Sequence, residues 1–205
     1  LAAAVEQALE RIELAIDEVA QGGQQEVLTV AAPASFAMRW LIPRLPDLQK
    51  AAGEVGIRVR PTHTTEAWDT LTYDVVIRRG EPLPARLSPH FLFTERLGAL
   101  VPRELAGEDD PRRLPFVEAA TRPGELHRWA LLAFADDPAQ PAAVYPHFYV
   151  AIEAALSGLG AIVAPVDLFG PQLASGQLAD PWPDIRIAGA HHVIGVTPDG
   201  PRVAA

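Results

Sequence analysis

The sequence predicts an α/β protein made of two consecutive units with a cleft between them. Two observations predict it. Residues 27–50 read as strand, tight turn and helix. The β-branched run from Val27 to Val30 breaks at Pro33, and Phe36, Trp40, Leu41, Leu45 and Leu48 then follow at helical spacing. A similar alternation of strand-like and helix-like segments begins again near Phe91. The start of a helix at the carboxyl end of a sheet strand is where open α/β folds bind small anions. The first segment therefore points to ligand binding.

The elements follow in order. In residues 1–20, Ala2, Val5, Leu9, Ile12, Ile16 and Val19 are spaced 3, 4, 3, 4, 3. That is the a/d spacing of a coiled coil, over fewer than three heptads. An amphipathic helix packed on its own domain gives the same pattern. Gly22-Gly23 end this helix, and Gln24-Gln25 form a polar linker. Gly56–Arg60 is expected as a strand, Pro61–Thr65 as a turn, Ala67–Tyr73 as a short connection and Asp74–Ile77 as a third strand. A proline-rich loop spans 82–89.

In the second half, Phe91–Phe93 and Leu97–Val101 are strand-like, Pro102–Leu105 is a short helix or turn, and 107–115 is a charged loop. Trp129–Phe134 is expected as an apolar strand, His147–Ser157 as a helix ended by Gly158-Leu159-Gly160, and Ala161–Val163 as a strand. Val166–Ser175 is expected as a further helix and His191–Val196 as the last strand. No close internal repeat indicates a solenoid.

Composition narrows the function. The 205 residues are 49% hydrophobic, enough for one large domain or two small lobes. Cysteine is absent, which removes disulfides, thiolate nucleophiles and cysteine-based zinc sites. The net charge of −9 repels phosphate backbones, so this stretch is not expected to grip nucleic acid itself. No apolar run reaches the roughly 18 residues of a membrane span. No basic segment leads into a short apolar core, so a secretory signal is not expected and a cytoplasmic location is. The sequence begins with Leu1 rather than Met and reads as part of a longer protein.

Four motifs in order carry a resemblance. They are Pro33, Ser35-Phe36 and Leu41-Ile42-Pro43; Thr62-His63-Thr64-Thr65 followed by Tyr73–Gly80; His147-Phe148-Tyr149 running through Ala154-Ala155, Gly158–Gly160 and Ala164-Pro165; and Leu173–Leu178. In this the chain resembles the effector-binding domain of LysR-type transcriptional regulators, with the end of their linker helix attached. It looks most like the subgroup that contains the glycine-cleavage and β-lactamase-gene activators. The resemblance implies a two-lobed periplasmic-binding-protein-like (type 2) fold with an effector cleft between the lobes, preceded by a linker helix. Residues 1–21 would be that helix, 27–93 with 193–205 the first lobe, and 94–192 the second. Crossovers would fall near 91–96 and 190–195. The winged helix-turn-helix that precedes the linker in the family is not in this sequence. The family's closing helix has no counterpart after Gly200-Pro201.

Several residues can carry ligand chemistry. Ser35 reads as a plain N-cap, worth about 1 kcal/mol, or as a hydrogen-bond donor to a carboxylate. The resemblance favours the second role, with Phe36 beside it. Thr64 and Thr65, past the second strand, can donate to a ligand or bond their own backbone. The resemblance places Tyr145 and His147 at a helix start facing Ser35 across the cleft, and His191 where relatives carry a cleft-facing aromatic residue. His191 and His192 point to opposite faces of a strand, so no metal site is expected. Trp40 and Trp68 read as packing residues; Arg78-Arg79 could attract an anion but read rather as a solvated strand end.

No Gly-x-Ser-x-Gly elbow, phosphate loop, His-Glu-x-x-His or carboxylate pair is present, so neither an enzyme nor a cofactor is expected. The expected function is effector sensing and oligomerisation in a bacterial regulator. A small anionic metabolite, expected to bear a carboxylate, would be the ligand. The protein would be a homodimer, or a tetramer at full length, contacting DNA only through the missing N-terminal domain. The resemblance makes the outer face of helix 36–52 a dimer surface. The competing reading is a periplasmic solute-binding protein of a transporter, which shares the cleft but not the heptad helix. The regulator reading predicts self-association, and light scattering after size exclusion checks it. A strictly monomeric chain at high concentration contradicts it.

Overall fold

In a computed structural model, the structure describes residues 27–62, 73–80, 83, 87–108, 110–134 and 140–196. The predicted linker helix at 1–21, the turn bearing Thr64 and Thr65, and residues 197–205 lie outside the described residues. The chain divides into two compact units, residues 1–92 with 193–205 and residues 93–192.

The first unit is a parallel α/β layer. Strand β1 (Val27–Pro33) pairs in parallel with β2 (Gly56–Thr62), from Val27 opposite Gly56 to Pro33 opposite Thr62. On its other side β1 pairs in parallel with β3 (Val75–Arg79). The order in this unit is β2-β1-β3, with β9 (Ile187–Val196) next to β3. The Asp74 carboxylate accepts the Thr29 N–H at 2.8 Å, and the Asp74 N–H donates to the Thr29 carbonyl at 2.9 Å, which pins the β1–β3 register. Ala31 and Ala32 are fully buried; such small side chains let neighbouring elements approach the strand closely.

A helical path leaves the end of β1 and changes pitch as it goes. It runs through α1 (Ala34–Phe36), a π turn at Ala37–Leu41, a 3₁₀ turn at Ile42–Arg44 and α2 (Leu45–Ala52). Pro43 and Pro46 have no N–H to give the preceding turn, so a uniform α-helix is impossible here. The Ile42 N–H instead reaches the Ala37 carbonyl, five residues back. The Phe36 and Trp40 rings stack at 5.0 Å, and the Arg44 guanidinium lies 4.6 Å from the Trp40 ring centre. Gly53, at φ +65°, ends the path in a conformation that other residues seldom adopt.

The second unit is a mixed sheet with helices. Strand β4 (Ser88–Pro102) carries the chain into it and β9 carries the chain out. The sequence read two strand fragments at 91–93 and 97–101, and the structure joins them into this one strand. Antiparallel to β4 is β7 (Ala161–Pro165), which pairs in parallel with β5 (Phe116–Ala119). Next to β5 in parallel is β6 (Ala143–Tyr145), while β8 (Leu178–Ala179) pairs with the end of β4. Strand β7 is buried along its whole length, as suits a strand covered on both faces. The helices are α3 (Glu125–Phe134), α4 (Phe148–Leu156) and the short α5 (Gly170–Ala174).

Helix α3 corrects the expected strand at Trp129–Phe134. The apolar run is a helix whose buried residues, Leu126, Trp129 and Ala130, recur at helical spacing, while Leu131 and Leu132 are exposed. A short apolar run looks alike in a buried strand and in a helix, and the Ala- and Leu-rich stretch favours the helix. Helix α3 also anchors the core of this unit. The fully buried Trp129 lies 5.8 Å from Phe116, 5.8 Å from Phe134 and 5.7 Å from Trp182, and its indole N–H donates to the Ile185 carbonyl at 3.2 Å. Trp129→Ala is expected to cost about 3–5 kcal/mol, read by equilibrium denaturation. A loss under about 1 kcal/mol contradicts its role as the core's anchor.

Candidate functional site

The first unit gathers hydroxyl groups where β1 and β2 end. Pro33 is the N-cap of α1, with extended backbone angles, so the helix starts directly after it. Ser35 thus sits at the second helical position rather than at the cap. It is 7% exposed. Thr62, opposite Pro33 in the register, is also buried. Two buried hydroxyls, Ser35 and Thr62, therefore lie at this strand end, beside the start of the helical path. Phe36 is buried and stacked on Trp40. Its side chain is part of the packing that fixes the turn.

In the second unit, β6 leads through Tyr145 and Pro146 into α4. The Tyr145 carbonyl accepts the Ala120 N–H at 2.8 Å. His147 is the N-cap of α4, extended at φ −128° and ψ 150°, and its carbonyl accepts the Val150 and Ala151 N–H groups. The His147 and Tyr149 rings stack almost parallel, with centres 5.5 Å apart. Tyr145 and His147 are both half-buried. On β9, His191 is exposed and its Nδ1 is hydrogen-bonded to Thr94 Oγ1 at 2.8 Å.

Behind these residues lies a buried charge cluster that the sequence reading did not single out. Glu95, on β4, is 1% exposed. Its two carboxylate oxygens accept the two Arg122 terminal nitrogens at 3.0 and 3.2 Å. One of them also accepts the Ala190 N–H at 3.3 Å, and the other lies 3.0 Å from His192 Nε2. A carboxylate only accepts, so His192 Nε2 carries the hydrogen. Arg122 is further paired with Glu125 at 3.5 Å, and its Cζ stands 3.7 Å from the Phe148 ring centre. Phe93 stacks on the buried His192 at 4.5 Å.

A signal for the cluster was present in the sequence. Glu95 falls in phase with Leu97, Ala99 and Val101, all inward positions of β4, and a carboxylate in such a row needs a partner. The outward neighbour Arg96 pairs instead with exposed Asp167, whose hydrogen bonds and charge hold the guanidinium above its ordinary pKa.

One cavity of about 10 Å³ touches Arg122, Glu125 and Phe148, room for a water molecule and not for a metabolite. An open concavity of about 410 Å³ beside Asp110, Arg112 and Phe134 contains none of the candidate residues. Among the described residues, no group of three or more histidine or acidic side chains is placed to hold a metal ion. None of their helices is long and apolar enough to cross a membrane. Glu95→Ala leaves Arg122 buried without its main partner and is expected to cost about 3–5 kcal/mol, measured by urea denaturation. A loss under about 1 kcal/mol shows that Arg122 is satisfied elsewhere.

Known proteins can be set beside this geometry. The sequence model of the LysR substrate binding domain matches residues 21–205. The HTH-type transcriptional regulator TrpI of Pseudomonas aeruginosa is 28% identical over 185 residues, covering 85% of this chain and 63% of TrpI. The HTH-type transcriptional activator AmpR of Citrobacter koseri is 30% identical over 172 residues, 82% of this chain and 60% of AmpR. The chain thus spans about three-fifths of these relatives' length. Among solved structures, the effector domain of AmpR from Pseudomonas aeruginosa superposes with a TM-score of 0.71 at 25% identity, covering 85% of this chain and 87% of that domain. The regulatory domain of CrgA from Neisseria meningitidis gives 0.69 at 18% identity over 86% of this chain and 91% of its own, a likeness of fold.

Proposed function

The chain belongs to the LysR substrate binding domain family, and on that premise we propose that it is the effector-sensing and oligomerisation module of a bacterial LysR-type transcriptional regulator. The match of the family over residues 21–205 carries this reading, and the relatives named above are all transcriptional regulators. Its fold is the periplasmic-binding-protein-like α/β fold of those effector domains. The transporter reading has no support among them.

The proposed effector is a small anionic metabolite. Two surfaces receive it, one in each unit. In the first, the Ser35 and Thr62 hydroxyls at the ends of β1 and β2 can donate to a carboxylate. Thr64 and Thr65, which lie outside the described residues, are proposed as further hydroxyl donors on the basis of the sequence alone. In the second, Tyr145, His147 and His191 supply rings and hydrogen-bonding edges. Binding biases the population of pre-existing arrangements and so the regulator's affinity for DNA. DNA contact belongs to the remaining part of the full-length regulator, in the cytoplasm.

Self-association is proposed through the outer face of the helical path at 36–52. Met38, Ile42 and Leu48 are exposed there at 46%, 43% and 38%. The carboxylate site is tested by a thermal-shift screen of small carboxylates followed by titration of the best binder. Ser35→Ala and Thr65→Ala are each expected to weaken it about tenfold, the loss of one hydrogen bond to a charged group. Equal affinity in parent and both variants removes this site.

A further inference from the structure

We propose that the buried Glu95–Arg122 pair is a positioning device that presents His147 and His191, the second unit's proposed effector contacts; the inference rests on the effector-sensing reading above. Neither residue is placed to touch a ligand, because Glu95 is 1% and Arg122 6% exposed and the adjoining cavity holds about 10 Å³. What they touch leads to both histidines.

One arm runs along β9. Glu95 takes the Ala190 N–H and the His192 ring on the inner side of that strand. Gly189 permits the approach, since a Cβ there would lie 2.7 Å from both Glu95 Cβ and Oε2. Successive strand residues alternate between faces. Fixing His192 inward therefore fixes His191 outward, where Thr94 holds its Nδ1. The other arm runs to α4. The Arg122 guanidinium, held by two hydrogen bonds to Glu95, lies on the Phe148 ring. Phe148 is the first residue of α4, and His147 is the N-cap before it. A shift of Arg122 must move that first turn.

The test has two arms. Hydrogen exchange of the ligand-free protein, followed by mass spectrometry, compares residues 148–151 with 153–156 and with 187–192. Phe148→Leu is expected to speed exchange at least tenfold in 148–151 only. Glu95→Gln is expected to speed it in 148–151 and 187–192 together, with Arg122→Lys as the substitute if Glu95→Gln fails to fold. Unchanged exchange in 148–151 for Phe148→Leu overturns the proposal. In the second arm, the best-binding carboxylate of the screen is titrated into Phe148→Leu and Phe148→Tyr. Affinity is expected to fall five- to tenfold in the first at a temperature where it stays folded, and to recover in the second, which keeps the ring. Parental affinity in Phe148→Leu overturns the proposal. If the parent binds no carboxylate, the anionic-effector reading fails by itself, and the exchange arm still upholds or overturns the positioning role.

Discussion

A carboxylate buried inside a sheet is the constraint around which the second unit is arranged. A charge taken out of water is costly unless it is paired and hydrogen-bonded. Glu95 meets that condition with contacts that include two from Arg122, one from the Ala190 backbone and one from His192. Each has a requirement of its own. Arg122 must be brought inward by the turn after β5, β9 must pass close enough for Gly189 to be necessary, and His192 must face the interior. The pairing adds little net stability compared with a well-packed apolar core, but a half-made version is strongly unfavourable. Such a cluster therefore selects one register of β4 against β9.

The remaining packing follows this arrangement. Arg122 on the Phe148 ring ties the cluster to α4, and Glu125 brings in the first turn of α3. Three residues on from Leu126, Trp129 reaches Phe116 and Trp182 and gives its N–H to the chain just before β9. Polar and apolar contacts thus converge on the same two strands. The first unit's order comes from parallel strand pairing, small alanines in β1 and an aromatic stack along the helical path; its buried polar side chains include Ser35, Thr62 and Arg78, the last of which the sequence reads as part of a solvated strand end but β3 carries inward.

Much of the fold was legible in the residues. The run from Val27 to Val30, the alternation at 56–60 and the helix ended by Gly158 show the periodicity and punctuation of their elements. The failures are equally physical. Trp129–Phe134 is a short apolar run, and burial on one side of a helix cannot be told there from burial on both sides of a strand. Strands β5, β6 and β8 are two to four residues long and exist by virtue of their neighbours. The change of pitch after Ser35 is in keeping with Pro43 and Pro46, while the stack of Phe36 on Trp40 beside the π turn appears only in the folded structure. The candidates Ser35, Tyr145 and His147 stand out in the sequence because each lies at an element boundary, whereas His191, expected to begin the last strand, lies inside β9. Glu95, Arg122 and His192 were missed because each was read apart from its partner.

By itself the sequence determined the class of this protein: its alternation of elements, its acidity, its want of catalytic motifs and the ordered motifs of a ligand-sensing family. Those properties are local or compositional, carried by periodicity and residue type. Only the tertiary structure decided which polar groups are buried together. Glu95 and His192 are 97 residues apart, and Glu95 and Arg122 are 27 apart. Nothing in their own neighbourhoods says that they meet. Their pairing is enforced by the cost of leaving any of them unpaired in a closely packed interior, and that cost exists only once the chain has folded.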